Sequence, residues 1–167
     1  MKNKGFTLIE LLAVIVILAI IALIATPIIL GIINEARDEA RERSADMVYT
    51  GVEYAYTTSL YQTTEGAEVG TPTLTTIKNN LKIENVESAK LYAGETEITS
   101  SNASTTTPDK LTIVTKDDVT CEVTGTDATG FTVKCGDGTT ADKYLNKVIN
   151  APETETTTGT ETGTTQG

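Results

Sequence analysis

From Leu11 to Ile33 the chain runs through 23 positions without a charged side chain. As an α-helix rising 1.5 Å per residue, that run is about 35 Å long, enough to cross the hydrocarbon core of a bilayer. Lys2 and Lys4 precede it, so the positive-inside rule leaves the N-terminus cytoplasmic and sends everything after Ile33 outside. This one stretch makes the average composition of 39% apolar residues misleading. It concentrates apolar residues at one end, while 152–167 at the other end hold no large apolar side chain.

A cleaved secretory signal would place small residues in an A-x-A-like pattern after the apolar run. None occurs near Ala25, and Pro27 is a poor neighbour for cleavage. An uncleaved signal anchor explains the length and the lysines but gives no reason for Glu10 or for the Gly5-Phe6 dipeptide. A carboxylate in a membrane helix costs up to ~2.5 to 3.5 kcal/mol at the centre and less near an end, so its presence calls for a partner. Cutting after Gly5 would create one. The new amine of Phe6 lies four residues before Glu10, one helical turn away on the same face, and the same pair can form between two molecules.

The run Gly5-Phe6-Thr7-Leu8-Ile9-Glu10, behind a short lysine-bearing leader and ahead of an apolar helix, resembles the class III signal of type IV prepilins. The resemblance implies that a prepilin peptidase cuts after Gly5 and methylates the amine of Phe6. It implies that Glu10 pairs with the Phe6 amine of a neighbouring subunit inside a filament. Pro27 and Gly31 match the helix-weakening region of that family, where a missing hydrogen bond and glycine entropy favour melting. A tolerated kink in a membrane helix explains the same two residues.

Beyond Ile33 the sequence turns polar but keeps helical spacing. Ala36, Ala40, Met47, Gly51 and Ala55 recur along one stripe, widened by Val48, Val52 and Ser59, opposite Glu39, Glu42, Asp46, Thr50, Glu53 and Thr57. The expectation is one helix from about Phe6 to Tyr61, its later half docking a head. Tyr49, Tyr54, Tyr56 and Tyr61 form two rows spaced by seven residues, suited to head packing or an interface. The mixed charges from Glu35 to Arg43 can pair within the helix or between subunits.

Within 63–151, Thr71-Pro72-Thr73 predicts a helix entry with proline at the first position, followed by Leu74, Ile77 and Leu81 at helical spacing. Segments at Lys90–Ala93, Lys110–Lys116, Val119–Thr124 and Phe131–Cys135 alternate and carry β-formers, predicting an antiparallel sheet of about three or four strands. A turn at Asp127–Gly130 sets Val123 opposite Phe131 or Val133 and brings Cys121 near Cys135. A cross-strand disulfide then fits an exported head, and the family often places one here.

The fold class expected is therefore α+β, a long N-terminal helix on a small antiparallel head. Its divisions are a leader at 1–5, a membrane and filament-core helix at 6–33, an amphipathic continuation at 34–62, the head at 63–151 and a threonine-rich tail at 152–167, expected to be disordered. Asp137 and Asp142 are weak metal candidates without the ligand spacing of an EF-hand, and no cofactor is expected. Asn102-Ala103-Ser104 is a formal glycosylation sequon.

The formal charge of −10 repels phosphate backbones, so general nucleic-acid binding is not expected, although Lys110, Lys116, Lys134 and Lys143 leave room for a local basic patch. No histidine is present and no nucleophile and base constellation is visible, which ranks an enzyme last. The leading expectation is a structural pilus subunit that partners itself, other pilins, the prepilin peptidase and a membrane assembly platform. It would sit in the cytoplasmic membrane before assembly and outside the cell afterwards. A pseudopilin of a secretion or DNA-uptake machine, and a membrane-anchored binding protein that never polymerises, are the alternatives.

Overall fold

The computed structural model describes residues 5, 7–61, 72–103 and 106–151. Helix α1 runs unbroken from Leu8 to Tyr61, and a short α2 spans Leu74–Asn80. Six strands follow, β1 (Val86–Ala93), β2 (Thr96–Glu97), β3 (Lys110–Thr115), β4 (Thr120–Thr126), β5 (Gly130–Gly136) and β6 (Leu145–Ile149). They form one antiparallel sheet in the order β2-β1-β3-β4-β5-β6. The architecture is α+β, a long N-terminal helix packed against a small antiparallel sheet, as in type IV pilins.

Strand alternation decides the inner face. In β3 Leu111, Ile113 and Thr115 are buried while their neighbours are half-exposed, the period-two pattern of a sheet with one covered face. Val123 and Cys121 on β4, and Phe131, Val133 and Cys135 on β5, continue that face. α1 lies against β5 and β6, and α2 fills the space over β1, β3 and β4. Tyr56 meets Phe131 edge-on at 5.7 Å between ring centroids, joining helix and sheet at the middle of the core.

Two more strands exist than the four segments read from the sequence. β6 buries Leu145 and Ile149 and exposes the three residues between them, so it shows no alternation to read. β2 is two residues long and is held by pairing to Tyr92 and Ala93. Strand β1 begins at Val86, four residues before the expected start at Lys90. The expected helix entry is also displaced. Thr73, in an extended conformation, is the N-cap of α2, its hydroxyl accepting from the Thr76 N–H while the Thr76 hydroxyl accepts from the Thr73 N–H. Pro72 therefore lies before the cap and not at the first helical position, because the reciprocal threonine pair supplies the missing helix-end partners.

The face of α1 that meets the head takes in Val48, Val52, Ala55 and Ser59 of the expected stripe but not its Ala36, Ala40 and Met47. Ser44, Ala45, Val48, Val52, Ala55, Tyr56 and Ser59 are buried, whereas Ala36, Ala40 and Met47 are exposed. The tyrosines divide by row, with Tyr56 buried and Tyr49 packed at the core margin, while Tyr54 and Tyr61 face outward. Gly51 stands at the boundary, where a Cβ would overlap the Ile83 side chain.

Candidate functional site

Gly5 is exposed ahead of the helix, and Phe6 lies outside the described residues. Thr7 starts α1. Its hydroxyl accepts from the Glu10 N–H at 3.4 Å and its carbonyl accepts from the same N–H at 3.1 Å. Thr7-Leu8-Ile9-Glu10 thus has the spacing of a capping box, with an acid in the first turn where the helix dipole favours it. Local helix chemistry alone thus favours an acid at Glu10.

From Leu8 to Ile33 every large apolar side chain is exposed, and the segment meets the length and composition needed to cross a membrane. The helix passes through Pro27 and Gly31 without interruption. Upstream of Pro27, the Thr26 hydroxyl donates to the Ala22 carbonyl at 2.7 Å, one turn back. That bond supplies polar satisfaction beside the hydrogen bond that proline removes. Gly31 has no neighbouring atom within 4 Å of the position a Cβ would take, so packing within one chain does not require glycine there.

The head grips α1 through two loops. In the β3–β4 turn, Asp117 Oδ2 accepts from the Ser44 hydroxyl at 2.7 Å and from Asn85 Nδ2 at 2.6 Å. Arg41 Nε donates to the Asp117 carbonyl at 3.3 Å. The Ser44 and Asn85 bonds, in that order, hold the Asp117 carboxyl below its usual range. On the other side Lys143 Nζ lies 3.7 Å from Asp38 and 3.2 Å from Asp137. Lys147 Nζ contacts Asp46 at 2.9 Å and sits 5.0 Å from the centre of the Tyr49 ring. The mixed charges on α1 thus serve partly within the helix, as Arg41–Asp38 and Arg43–Glu39, and partly as attachments to the head.

Cys121 and Cys135 face each other across β4 and β5 and are joined by a disulfide, their Cα atoms 4.0 Å apart. The register puts Val123 opposite Val133, leaving Phe131 opposite Gly125. Asp137 is occupied as a turn residue. Its carboxylate accepts from the N–H groups of Thr140 and Thr139 at 2.9 and 3.0 Å and pairs with Lys143. The two backbone bonds, then Lys143, push its pKa down to about 2. Among the described residues no three His, Cys, Asp or Glu side chains converge as a metal would require.

Asn102 of the sequon is engaged in its own turn, accepting from the Thr99 N–H and donating to the Glu97 carbonyl. Ser104 lies outside the described residues, as do the linker 62–71 and the tail 152–167 on which disorder was expected. Of the four lysines named for a basic patch, Lys110 and Lys143 are paired with carboxylates, Lys110 with Glu122 at 3.2 Å.

Residues 1–26 match the family model described as the prokaryotic N-terminal methylation motif, the leader signature of type IV prepilins. That leader motif, ahead of a long bare helix set on a small antiparallel head, supports a type IV pilin-like or pseudopilin protein. No curated protein and no solved structure matches the chain significantly. The leader implies processing by a prepilin peptidase and assembly into pilin polymers, and with the apolar helix it fits membrane insertion before assembly.

Proposed function

We propose that this chain is the structural subunit of an extracellular type IV pilus filament. The supporting observation is the division of α1. Its first half is apolar and bare on every side, and its second half carries the head. An apolar helix without partners is stable in lipid, and once withdrawn from lipid it requires an equally apolar environment, which other copies of itself supply.

In this reading 1–5 is removed, 6–33 forms the filament core, 34–62 bears the head at 63–151, and 152–167 is the threonine-rich tail. The amine of Phe6, methylated after the cut, neutralises Glu10 of an adjacent subunit. Pro27 and Gly31 mark the place where the helix yields during assembly. The head adds no catalysis, and no cofactor or metal is assigned to it.

Mass spectrometry of subunits from surface filaments tests the proposal. The expected mature chain begins at an N-methylated Phe6, and an extracellular subunit still beginning at Met1 would overturn the processing step. The leader supports a pseudopilin equally, and electron microscopy of sheared fibres separates long pili from the short filaments of that alternative.

A further inference from the structure

Strand β4 starts next to the Asp117 attachment to Ser44 and ends at Thr126. At that far end of the sheet a cleft of about 500 Å³ opens between the start of α2, the chain just ahead of β3 and the β4–β5 turn. Its size falls within the roughly 300 to 1,000 Å³ of small-molecule sites. Pro72, Leu74, Pro108 and Phe131 supply apolar wall. Among them stand the hydroxyls of Thr75, Thr106 and Thr107 and the carboxylate of Asp127, none with a hydrogen-bond or ion-pair partner among the described residues. The lining residues include no lysine and no arginine.

A second observation lies behind the wall. Tyr56 meets Phe131 edge-on and is only 3% exposed, yet its hydroxyl has no hydrogen-bond partner among the described residues. Burial, and then the charge of Asp127, raise its pKa, so the hydroxyl is a neutral donor within the field of the acid that lines the cleft. A buried hydroxyl left unpaired is costly, and a bound water or ligand is the ordinary remedy.

The lining chemistry selects the ligand. Threonine hydroxyls donate and accept, as sugar hydroxyls do, and a carboxylate accepts from two hydroxyls at once. The apolar wall matches the C–H faces of a sugar ring. An anion finds no cation in the lining and meets the field of a chain of net charge −10. A cation meets one carboxylate against three free hydroxyls. We propose that the cleft binds a neutral oligosaccharide, held by Asp127, Thr75, Thr106 and Thr107, and that the Tyr56 hydroxyl gains its partner on binding, directly or through one water. The site belongs to the head alone and goes beyond the filament reading, because it requires no polymerisation.

The full chain, purified in lauryldimethylamine oxide because that detergent carries no sugar, is tested on a printed array of neutral, sialylated and sulfated oligosaccharides. Retention on one or more neutral glycans is expected. No retention, or retention on charged glycans alone, overturns the proposal. The retained neutral glycan is then titrated in solution. Asp127→Ala is expected to weaken it about tenfold or more and Thr107→Val about threefold or more, both at exposed positions and with the melting temperature of the free chain unchanged. Unchanged affinity in both variants places the glycan elsewhere and overturns the site. If Asp127→Ala melts lower without ligand, Thr107→Val decides. Tyr56→Phe removes only the unpartnered hydroxyl, so the free chain should melt no lower than wild type, while the rise in melting temperature at a fixed glycan concentration should shrink. A rise as large as in wild type overturns the part assigned to Tyr56.

Discussion

Glu10 stands three residues after Thr7, and in an isolated chain its first role is to favour the start of α1. Glutamine fills the same place in a capping box but has no charge to neutralise. Glu10→Gln is therefore expected to insert in the membrane normally and to assemble poorly, measured as sheared filament against membrane-bound subunit. Normal filament yield would reduce Glu10 to a helix-starting residue. Asp137 gives a second test, with its sign fixed by its low pKa of about 2. A carboxyl depressed on folding stabilises fully above its unfolded pKa, near 4, and loses that contribution as pH falls through its folded value. Asp137→Asn keeps an acceptor for Thr139 and Thr140 but loses the charge facing Lys143. The gap in melting temperature between wild type and variant should be constant above pH 5 and close between about pH 4 and 2.

At the scale of elements, the disulfide was legible because β4 and β5 alternate cleanly on both sides of a short turn, which fixes register. Replacing both cysteines by alanine should lower stability to denaturant by about 3 kcal/mol, the effect of opening a loop of roughly fifteen residues. Unchanged unfolding of the full chain in detergent, with and without reductant, would contradict this. β6 was illegible for the opposite reason. Its exposed centre, Asn146 to Val148, breaks the alternation, and Lys147 points to Asp46 and Tyr49 on α1 instead of to solvent alone. The stripe on α1 was legible as helical but not as to which residues face the head. Met47 has the character of a core residue and is exposed, whereas Ser44 is buried because Asp117 and Asn85 satisfy its hydroxyl.

Across the whole molecule, the head is tied to α1 near residues 38 to 46 by the Asp117 and Lys143 attachments and farther along by the apolar core around Val52 and Tyr56. Two separated attachments fix the direction of the helix relative to the sheet, leaving the segment before Ile33 to project alone. Asp117→Ala removes the acceptor shared by Ser44 and Asn85. It should cost about 1 kcal/mol, given partial exposure, and should speed amide hydrogen exchange in α1 between Arg41 and Asp46 while the sheet stays protected. Equal protection of that turn in variant and wild type would show that the apolar core alone holds the helix in place.

What the sequence alone determined was what is governed by neighbours along the chain: the membrane-length helix, the leader motif at its start, the helical continuation to Tyr61 and the pairing of Cys121 with Cys135. Periodicity and spacing carry these, and they need no knowledge of what lies across a gap. Tertiary structure alone decided which residues of the stripe on α1 meet the head, that β2 and β6 extend the sheet, and that Asp137 serves a turn. Each depends on groups distant in sequence, such as Ile83 against Gly51 and Asp117 against Ser44, and side chains of equal hydrophobicity give no signal of which one will be covered. The apolar run that most constrains the chain is also the part its own head leaves bare.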